Sequence, residues 1–111
     1  MSGSVCVIIP SVDNSTELGI AIDGLLDQTY SDISVVVVGP ESDSGKDVAE
    51  LKGVRFIDDR GSKTRADACN VALEQTESEF VFFTDDDVIV PKNWVSNLVR
   101  WFEREEVSGV G

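Results

Sequence analysis

The chain has 111 residues, with 21 Asp or Glu against 9 Lys or Arg, a net charge of −12, two cysteines and no histidine. This length suits one domain with its own hydrophobic core, and the sequence contains no secretory signal and no apolar run long enough to cross a membrane. The excess of negative charge argues against nucleic acid as a partner, because phosphates are neutralised by clustered Lys and Arg.

The same inventory limits the chemistry and the setting. Without histidine, and with Cys6 and Cys69 both at apolar positions predicted to lie in the core, a zinc site or a Cys-His nucleophile pair is excluded. Any metal site must therefore use oxygen ligands.

We expect a cytoplasmic protein, attached to the cytoplasmic face of a membrane only through regions absent from this chain. The acidic excess favours a salt-loving source, with an ordinary acidic protein as the alternative.

The first forty residues predict a strand, a helix and a second strand. Residues 5–9 form a continuous apolar run that Pro10 ends, which is typical of a strand buried on both faces. Apolar residues at helical spacing then predict a helix that starts at residues 14–16 and ends near Gln28. Residues 33–38 are almost all valine and predict a second buried strand. This order indicates a parallel, right-handed βαβ unit.

The next elements are shorter. Residues 46–52 predict a brief helix, and residues 54–57 predict a strand near a sheet edge because the run is short and carries Arg55. Ser62 or Thr64 can cap the following helix, whose inward face is predicted to hold Ala68, Cys69, Ala72 and Leu73.

The next part of the sequence predicts a buried strand followed by a helix. The run from Phe80 to Phe83 predicts a central strand, and Pro91 fits the first turn of a helix. Trp94 and Trp101 fall on the apolar stripe of that helix. We interpret both tryptophans as core residues rather than as a stacking platform for a ligand.

Three consecutive carboxylates, Asp85, Asp86 and Asp87, follow the Phe80 strand directly. Ligands of open α/β sheets bind at the carboxyl ends of the strands, so these side chains are expected to meet a ligand. Their mutual repulsion is relieved by a cation, and an oxygen-only ligand set favours Mg²⁺ or Mn²⁺. A solvated turn of aspartates is the alternative interpretation.

In its order of motifs the chain resembles the nucleotide-sugar-binding half of family 2 glycosyltransferases with the GT-A fold. The matching segments are residues 5–10 (VCVIIP), 25–30 (LLDQTY), 68–73 (ACNVAL) and 82–87 (FFTDDD). The resemblance implies an α/β fold, a three-layer αβα sandwich with a mostly parallel central sheet. It also implies that residues 1–111 are one nucleotide-diphospho-sugar-binding domain, truncated at its C-terminal end.

The resemblance implies roles for individual residues as well. Asp85 and Asp87 would hold the Mg²⁺ or Mn²⁺, and the donor nucleotide would contact Pro10, Ser11, Asp13, Glu41, Arg65, Asp85 and Asp86. Two segments depart from the family pattern. Val12 and Asp13 stand where the family has an aromatic residue and Asn, and Gly39-Pro40 replaces the acidic residue that usually ends the second strand. Glu41 or Asp43 is the candidate replacement for that acid.

The family's catalytic base lies beyond residue 111, so none of these residues is expected to be catalytic. For an intact protein the resemblance implies transfer of a sugar, with inversion, from the nucleotide donor to an acceptor hydroxyl or phosphate. The 111 residues alone are expected to bind rather than to catalyse. The alternative is a non-catalytic α/β binding module, such as a receiver-like regulatory domain.

Overall fold

The computed structural model describes residues 3–11, 15–40 and 44–105. Strands and helices alternate along the chain: β1 (Val5–Pro10), α1 (Ser15–Leu26), β2 (Ile33–Gly39), α2 (Ser44–Lys52), β3 (Arg55–Asp58), α3 (Arg65–Glu74), β4 (Phe80–Phe83) and α4 (Trp94–Glu105). The strands form one parallel sheet in the order β3-β2-β1-β4. The predicted α/β fold with a mostly parallel sheet is confirmed.

Helices cover both faces of this sheet. In β1, Val5, Val7 and Ile9 point to one face and pack with residues of α1, α2 and α4. Cys6 and Ile8 point to the other face and pack with Ala68 and Ala72 of α3. Because β1 is buried on both sides, its side chains are continuously apolar rather than alternating.

The position of β4 and the exposure of Leu73 differ from the sequence-based expectation. Within the described residues β4 pairs with β1 alone and stands at a sheet edge, and Phe83 is 43% exposed. On one face of β4, Phe80 and Phe82 contact Phe102 of α4, and this packing accounts for the apolar residues of the strand. Leu73, expected to face inward, is also largely exposed.

The two tryptophans of α4 behave differently. Trp94 packs edge-on against Phe82, with ring centroids 6.1 Å apart, as the core interpretation predicts. Trp101 is 46% exposed, so the same interpretation is wrong for that residue. The helix begins at Trp94 rather than at Pro91, whose carbonyl accepts a hydrogen bond from the Trp94 amide in the preceding turn.

Gln28, just after α1, holds the start of α4. Its Nε2 donates to the Pro91 carbonyl at 2.7 Å, and its Oε1 accepts from the Val95 amide at 2.9 Å. The second bond satisfies a main-chain donor that has no partner within its own helix. Gln28 therefore anchors the far end of the loop that follows β4 and carries the three aspartates.

No helix within the described ranges has the length and apolar character needed to cross a bilayer.

Candidate functional site

The carboxyl ends of the parallel strands bring four loops to one edge of the sheet. The Ser11 amide donates to the Val38 carbonyl and the Asp59 amide donates to the Gly39 carbonyl, each at 2.9 Å. On the other side of β1, the Thr84 amide donates to the Ile8 carbonyl at 3.2 Å. These bonds extend the sheet by one residue beyond each strand and fix the loop starts relative to one another.

A tight turn after β3 leads into α3. Asp59 is 5% exposed, and its Oδ1 accepts from the Gly61 amide at 3.0 Å. Arg60 and Gly61 have φ angles of 57° and 73°, the left-handed region that such a turn requires. The Ser62 amide closes the turn on the Asp59 carbonyl at 3.1 Å. The buried Asp59 thus directs the chain back over the sheet edge.

The N-terminus of α3 faces the same edge. Of the two predicted caps, Ser62 and Thr64, the structure selects Thr64, whose Oγ1 accepts from the Asp67 amide at 3.1 Å. Arg65 is the first residue of the helix. A helix N-terminus carries partial positive charge and unpaired main-chain donors, so it favours a bound anion.

A cavity of about 340 Å³ opens between the end of β1 and the N-terminus of α3. Its wall combines apolar surface from two strands and one helix with hydroxyl groups, two cationic residues and one carboxylate. The lining residues are Pro10, Ser11, Val38, Ser62, Lys63, Thr64, Arg65, Ala68 and Asp86. Such a wall suits a ligand with one apolar, ring-like part and one anionic part.

Ser11 contributes a buried polar atom to this wall. The residue is 2% exposed, and its Oγ has no hydrogen-bond partner in the described structure. A buried hydroxyl without a partner carries a desolvation cost, and such groups call for an explanation in the function of the site. A polar ligand in the cavity would supply one.

Arg65 also forms an ion pair with Asp85, the second residue after β4. Both side chains are well exposed, at 62% for Arg65 and 45% for Asp85. The pair joins the helix side of the cavity to the aspartate loop. It also gives the first-turn arginine the nearby anion that its position on the helix requires.

The three aspartates do not converge on one point. Asp85 pairs with Arg65, Asp86 lines the cavity and Asp87 is exposed in the next turn. Within the described ranges, no three Asp, Glu or Cys side chains are grouped as a protein-only metal cage would need. Mg²⁺ and Mn²⁺ are commonly held by one or two carboxylates together with substrate phosphates and water. The loop therefore fits an ion shared with a phosphate ligand rather than one enclosed by protein.

Cys69 lies one helical turn after Arg65 and is half-buried. Burial raises the pKa of its thiol, the nearby Arg65 guanidinium lowers that pKa and the Asp85 carboxylate raises it. Burial likewise raises the pKa of the Cys6 thiol, which the Ser34 hydroxyl and Arg55 oppose. The charges of the Arg65–Asp85 pair therefore act on the Cys69 thiol. Cys69 is only partly buried and is not among the buried residues of α3, so the prediction of a core thiol is wrong for Cys69 and holds for Cys6.

The structure brings together most of the residues that the sequence singles out. Pro10, Ser11, Arg65 and Asp86 line the cavity and Asp85 is tied to Arg65, whereas Asp13 and Glu41, with the alternative Asp43, fall outside the described residues. The sequence interpretation missed five lining residues: Val38, Ser62, Lys63, Thr64 and Ala68. For Thr64 and Lys63 a signal was available, because residues at a helix N-cap after a strand face the same edge as the strand end.

A larger cavity, of about 690 Å³, opens at the opposite end of the sheet. Arg55 lines it, but its guanidinium donates to the carbonyl and side-chain oxygens of Gln75, the C-cap of α3. A cation at a helix C-terminus is a stabilising arrangement in its own right. This cavity lies away from the aspartates, and we place the candidate site at the carboxyl edge on chemical grounds.

A parallel sheet with helices on both faces, and a helix N-terminus and charged loops at its carboxyl edge, is the architecture of nucleotide-binding α/β domains. The sequence profile of Glycosyl transferase family 2 matches residues 6–111, and the chain belongs to that family. This membership confirms the family that the motifs suggested.

Known relatives agree with the fold. Glycosyltransferase GlyG of Streptococcus pneumoniae is 24% identical, over 99% of this chain and 38% of its own length. The mannosyltransferase PcManGT from Pyrobaculum calidifontis, solved with GDP-Man and Mn²⁺, has a TM-score of 0.85 and 23% identity over 92% of this chain and 33% of that chain. S. aureus TarS 1-349 with UDP-GlcNAc has a TM-score of 0.75 and 22% identity, over 97% and 36% of the two chains. The chain thus spans between a third and two fifths of each relative.

Proposed function

We propose that this chain is the donor-binding part of a glycosyltransferase, which binds a nucleotide-diphospho-sugar together with Mg²⁺ or Mn²⁺. The observation that carries the proposal is the ion pair between Arg65 and Asp85 beside the cavity. It places a cationic group, a carboxylate and the N-terminus of α3 around one opening, which are the groups that a metal-bound diphosphate would contact.

The cavity supports a division of roles for the donor. Pro10, Val38 and Ala68 supply apolar surface against which a base or ribose can pack. Lys63, Arg65 and the main-chain amides at the start of α3 supply positive charge for phosphates. The Ser11 hydroxyl is buried beside the cavity without a partner in the described structure, and it is the group proposed to hydrogen-bond the nucleoside.

Two of the solved relatives agree with this proposal. PcManGT is described in complex with GDP-Man and Mn²⁺, and TarS in complex with UDP-GlcNAc. Their donors differ in base and sugar, so they support the donor class without selecting a base for this chain. Asp13 and Glu41 remain proposed contacts to the nucleotide.

Asp85 and Asp87 are the residues proposed to hold the divalent cation, with Asp86 turned to the nucleotide side. When bound, the ion would supply Lewis-acid stabilisation of the negative charge on the departing diphosphate. The residues of this chain bind the donor and orient it. Transfer with inversion to an acceptor hydroxyl or phosphate would also need a base to take up the acceptor's proton. The proposed setting is cytoplasmic.

Thermal unfolding with nucleoside diphosphates tests donor binding. UDP and GDP are each added with and without Mn²⁺ to the native protein and to Asp87→Asn, with Asp32→Asn as a charge-matched control at the opposite end of the sheet. At 100 times its dissociation constant, the preferred nucleotide with Mn²⁺ should stabilise the native protein by roughly 2.7 kcal/mol. Nucleotide without metal should stabilise much less, because the diphosphate then meets uncompensated carboxylates.

Asp87→Asn should lose most of the gain from nucleotide and Mn²⁺, while Asp32→Asn should retain it. The empty Asp87→Asn protein should melt at or slightly above the native temperature, because one of three adjacent like charges is removed. No shift with either nucleotide in the native protein would contradict the proposed function. A lower melting temperature of empty Asp87→Asn would favour the structural turn.

A further inference from the structure

The ion pair between Arg65 and Asp85 engages two residues that the proposed function needs for other partners. Arg65 lines the cavity in which the diphosphate is proposed to lie, and Asp85 is a proposed ligand of the divalent cation. In the structure each side chain instead serves as the counter-ion of the other. The Arg65 guanidinium occupies Oδ1 of Asp85, and its positive charge repels a second cation that approaches the same carboxylate.

The position of each residue explains why the pair forms. Arg65 is in the first turn of α3, where the helix dipole disfavours a cation unless an anion is close. Asp85 precedes two further aspartates in the chain, so a nearby cation relieves their repulsion. Both side chains are largely exposed, and exposed pairs of this kind contribute little net stability. The pair is therefore easily exchanged for other partners.

We propose that Arg65 and the divalent cation are alternative counter-ions of Asp85, so that the Arg65–Asp85 pair couples cation binding to nucleotide binding. Without nucleotide, a cation competes with Arg65 for Asp85. With nucleotide bound, the Arg65 guanidinium turns to the diphosphate at the N-terminus of α3 and leaves Asp85 to the cation. Each ligand then raises the affinity for the other by the same factor, as linkage requires. This inference rests on the proposed function.

The test compares Mn²⁺ affinity in native protein and Arg65→Gln, measured by the electron paramagnetic resonance signal of free Mn²⁺. Each protein is titrated alone and with saturating UDP or GDP, whichever binds the native protein. Without nucleotide, Arg65→Gln should bind Mn²⁺ about two- to fivefold more tightly than native, the range expected for losing a competing exposed ion pair. The factor by which nucleotide raises the Mn²⁺ affinity should be severalfold smaller in Arg65→Gln than in the native protein.

Two variants serve as controls. Lys52→Gln removes the same charge at a partly exposed pair with Asp23, on α2 and α1, where Lys52 Nζ lies 2.9 Å from Asp23 Oδ2. Lys52→Gln should bind Mn²⁺ with the native affinity within experimental error, since distant charges that are screened by salt interact weakly. Arg65→Lys keeps the charge, so its Mn²⁺ affinity without nucleotide should remain close to the native value. This variant also controls for a folding defect caused by substitution at position 65.

Unchanged or weaker Mn²⁺ binding by nucleotide-free Arg65→Gln would overturn the proposal. An equal gain in Lys52→Gln would overturn it too, because the effect would then come from net charge. Failure of the native protein to bind either nucleotide with Mn²⁺ contradicts the donor-binding function instead. The nucleotide-free comparison still decides in that case whether Arg65 and the cation compete for Asp85.

Discussion

Gly39, the last residue of β2, lies so close to Ser11 that a Cβ atom at position 39 would be 2.5 Å from the Ser11 carbonyl oxygen. The Ser11 amide is bonded to Val38 and the Gly39 carbonyl accepts from Asp59, so hydrogen bonds hold the backbone on both sides. This contact accounts for the glycine at the end of β2. A side chain at position 39 would push the first loop of the site away from the sheet.

Gly39→Ala should therefore destabilise the protein by about 1–3 kcal/mol, the usual cost of forcing a methyl group into a packed region. The matched control is Gly19→Ala in α1, where the new Cβ would contact Lys52 and Val48 side-chain atoms at 3.6 and 3.8 Å. That variant should be stabilised by roughly 0.5–1 kcal/mol, because alanine is the better helix former. Urea denaturation measures both values. Equal effects of the two substitutions would contradict the close-contact argument.

Ser11→Ala should stabilise the empty protein, by about 1 kcal/mol, since it removes a buried hydroxyl that has no partner. Ser62→Ala is the control: the Ser62 hydroxyl donates to the Asp59 carbonyl, and its loss should destabilise by about 0.5–1.5 kcal/mol. Urea denaturation without ligand gives both signs. If Ser11 contacts the nucleoside, Ser11→Ala should also weaken nucleotide binding. Destabilisation by Ser11→Ala would show that the hydroxyl is satisfied in solution.

Alkylation of Cys69 should report the charges beside the site. Only the thiolate reacts, so the raised pKa of the Cys69 thiol should shift its reaction with iodoacetamide to a higher pH than that of an ordinary thiol. Asp85→Asn removes a charge that raises this pKa and should speed the reaction at a fixed alkaline pH. Arg65→Gln removes a charge that lowers it and should slow the reaction.

Mass spectrometry of the alkylated peptides separates the two cysteines in that experiment. Cys6 is 1% exposed and should not react while the protein is folded, so it controls for unfolding. Changes of the same sign in Asp85→Asn and Arg65→Gln would contradict the assignment of opposite electrostatic effects to the two residues.

The melting temperature should rise steadily from low to molar KCl. A net charge of −12 destabilises the folded chain by self-repulsion, and salt screens it, with a Debye length of about 3 Å at 1 M. Sucrose at matched osmolality controls for stabilisation by solute exclusion, which needs no charge. A flat response in KCl, or an equal rise in sucrose, would remove the inference of a salt-adapted protein.

The sequence alone determined the elements and the edge at which they meet. Continuous apolar runs predicted β1 and β2, helical spacing predicted the crossovers between strands, and Ser62 or Thr64 predicted the start of α3. Parallel strands place all their carboxyl ends on one side, so the position of Asp85 after an apolar run was enough to predict that it lies at that edge. The motifs added the family, which the match over residues 6–111 confirmed.

Only the tertiary structure decided which side chains meet at that edge. The pairing of Arg65 with Asp85, the burial of the Ser11 hydroxyl and the contact of Gly39 with Ser11 all join separate loops. The exposure of Trp101 likewise depends on what packs beside α4. The spacing of apolar residues in a sequence indicates which side chains face the core. Strand order and register, which follow from the whole fold, decide which neighbours those side chains contact.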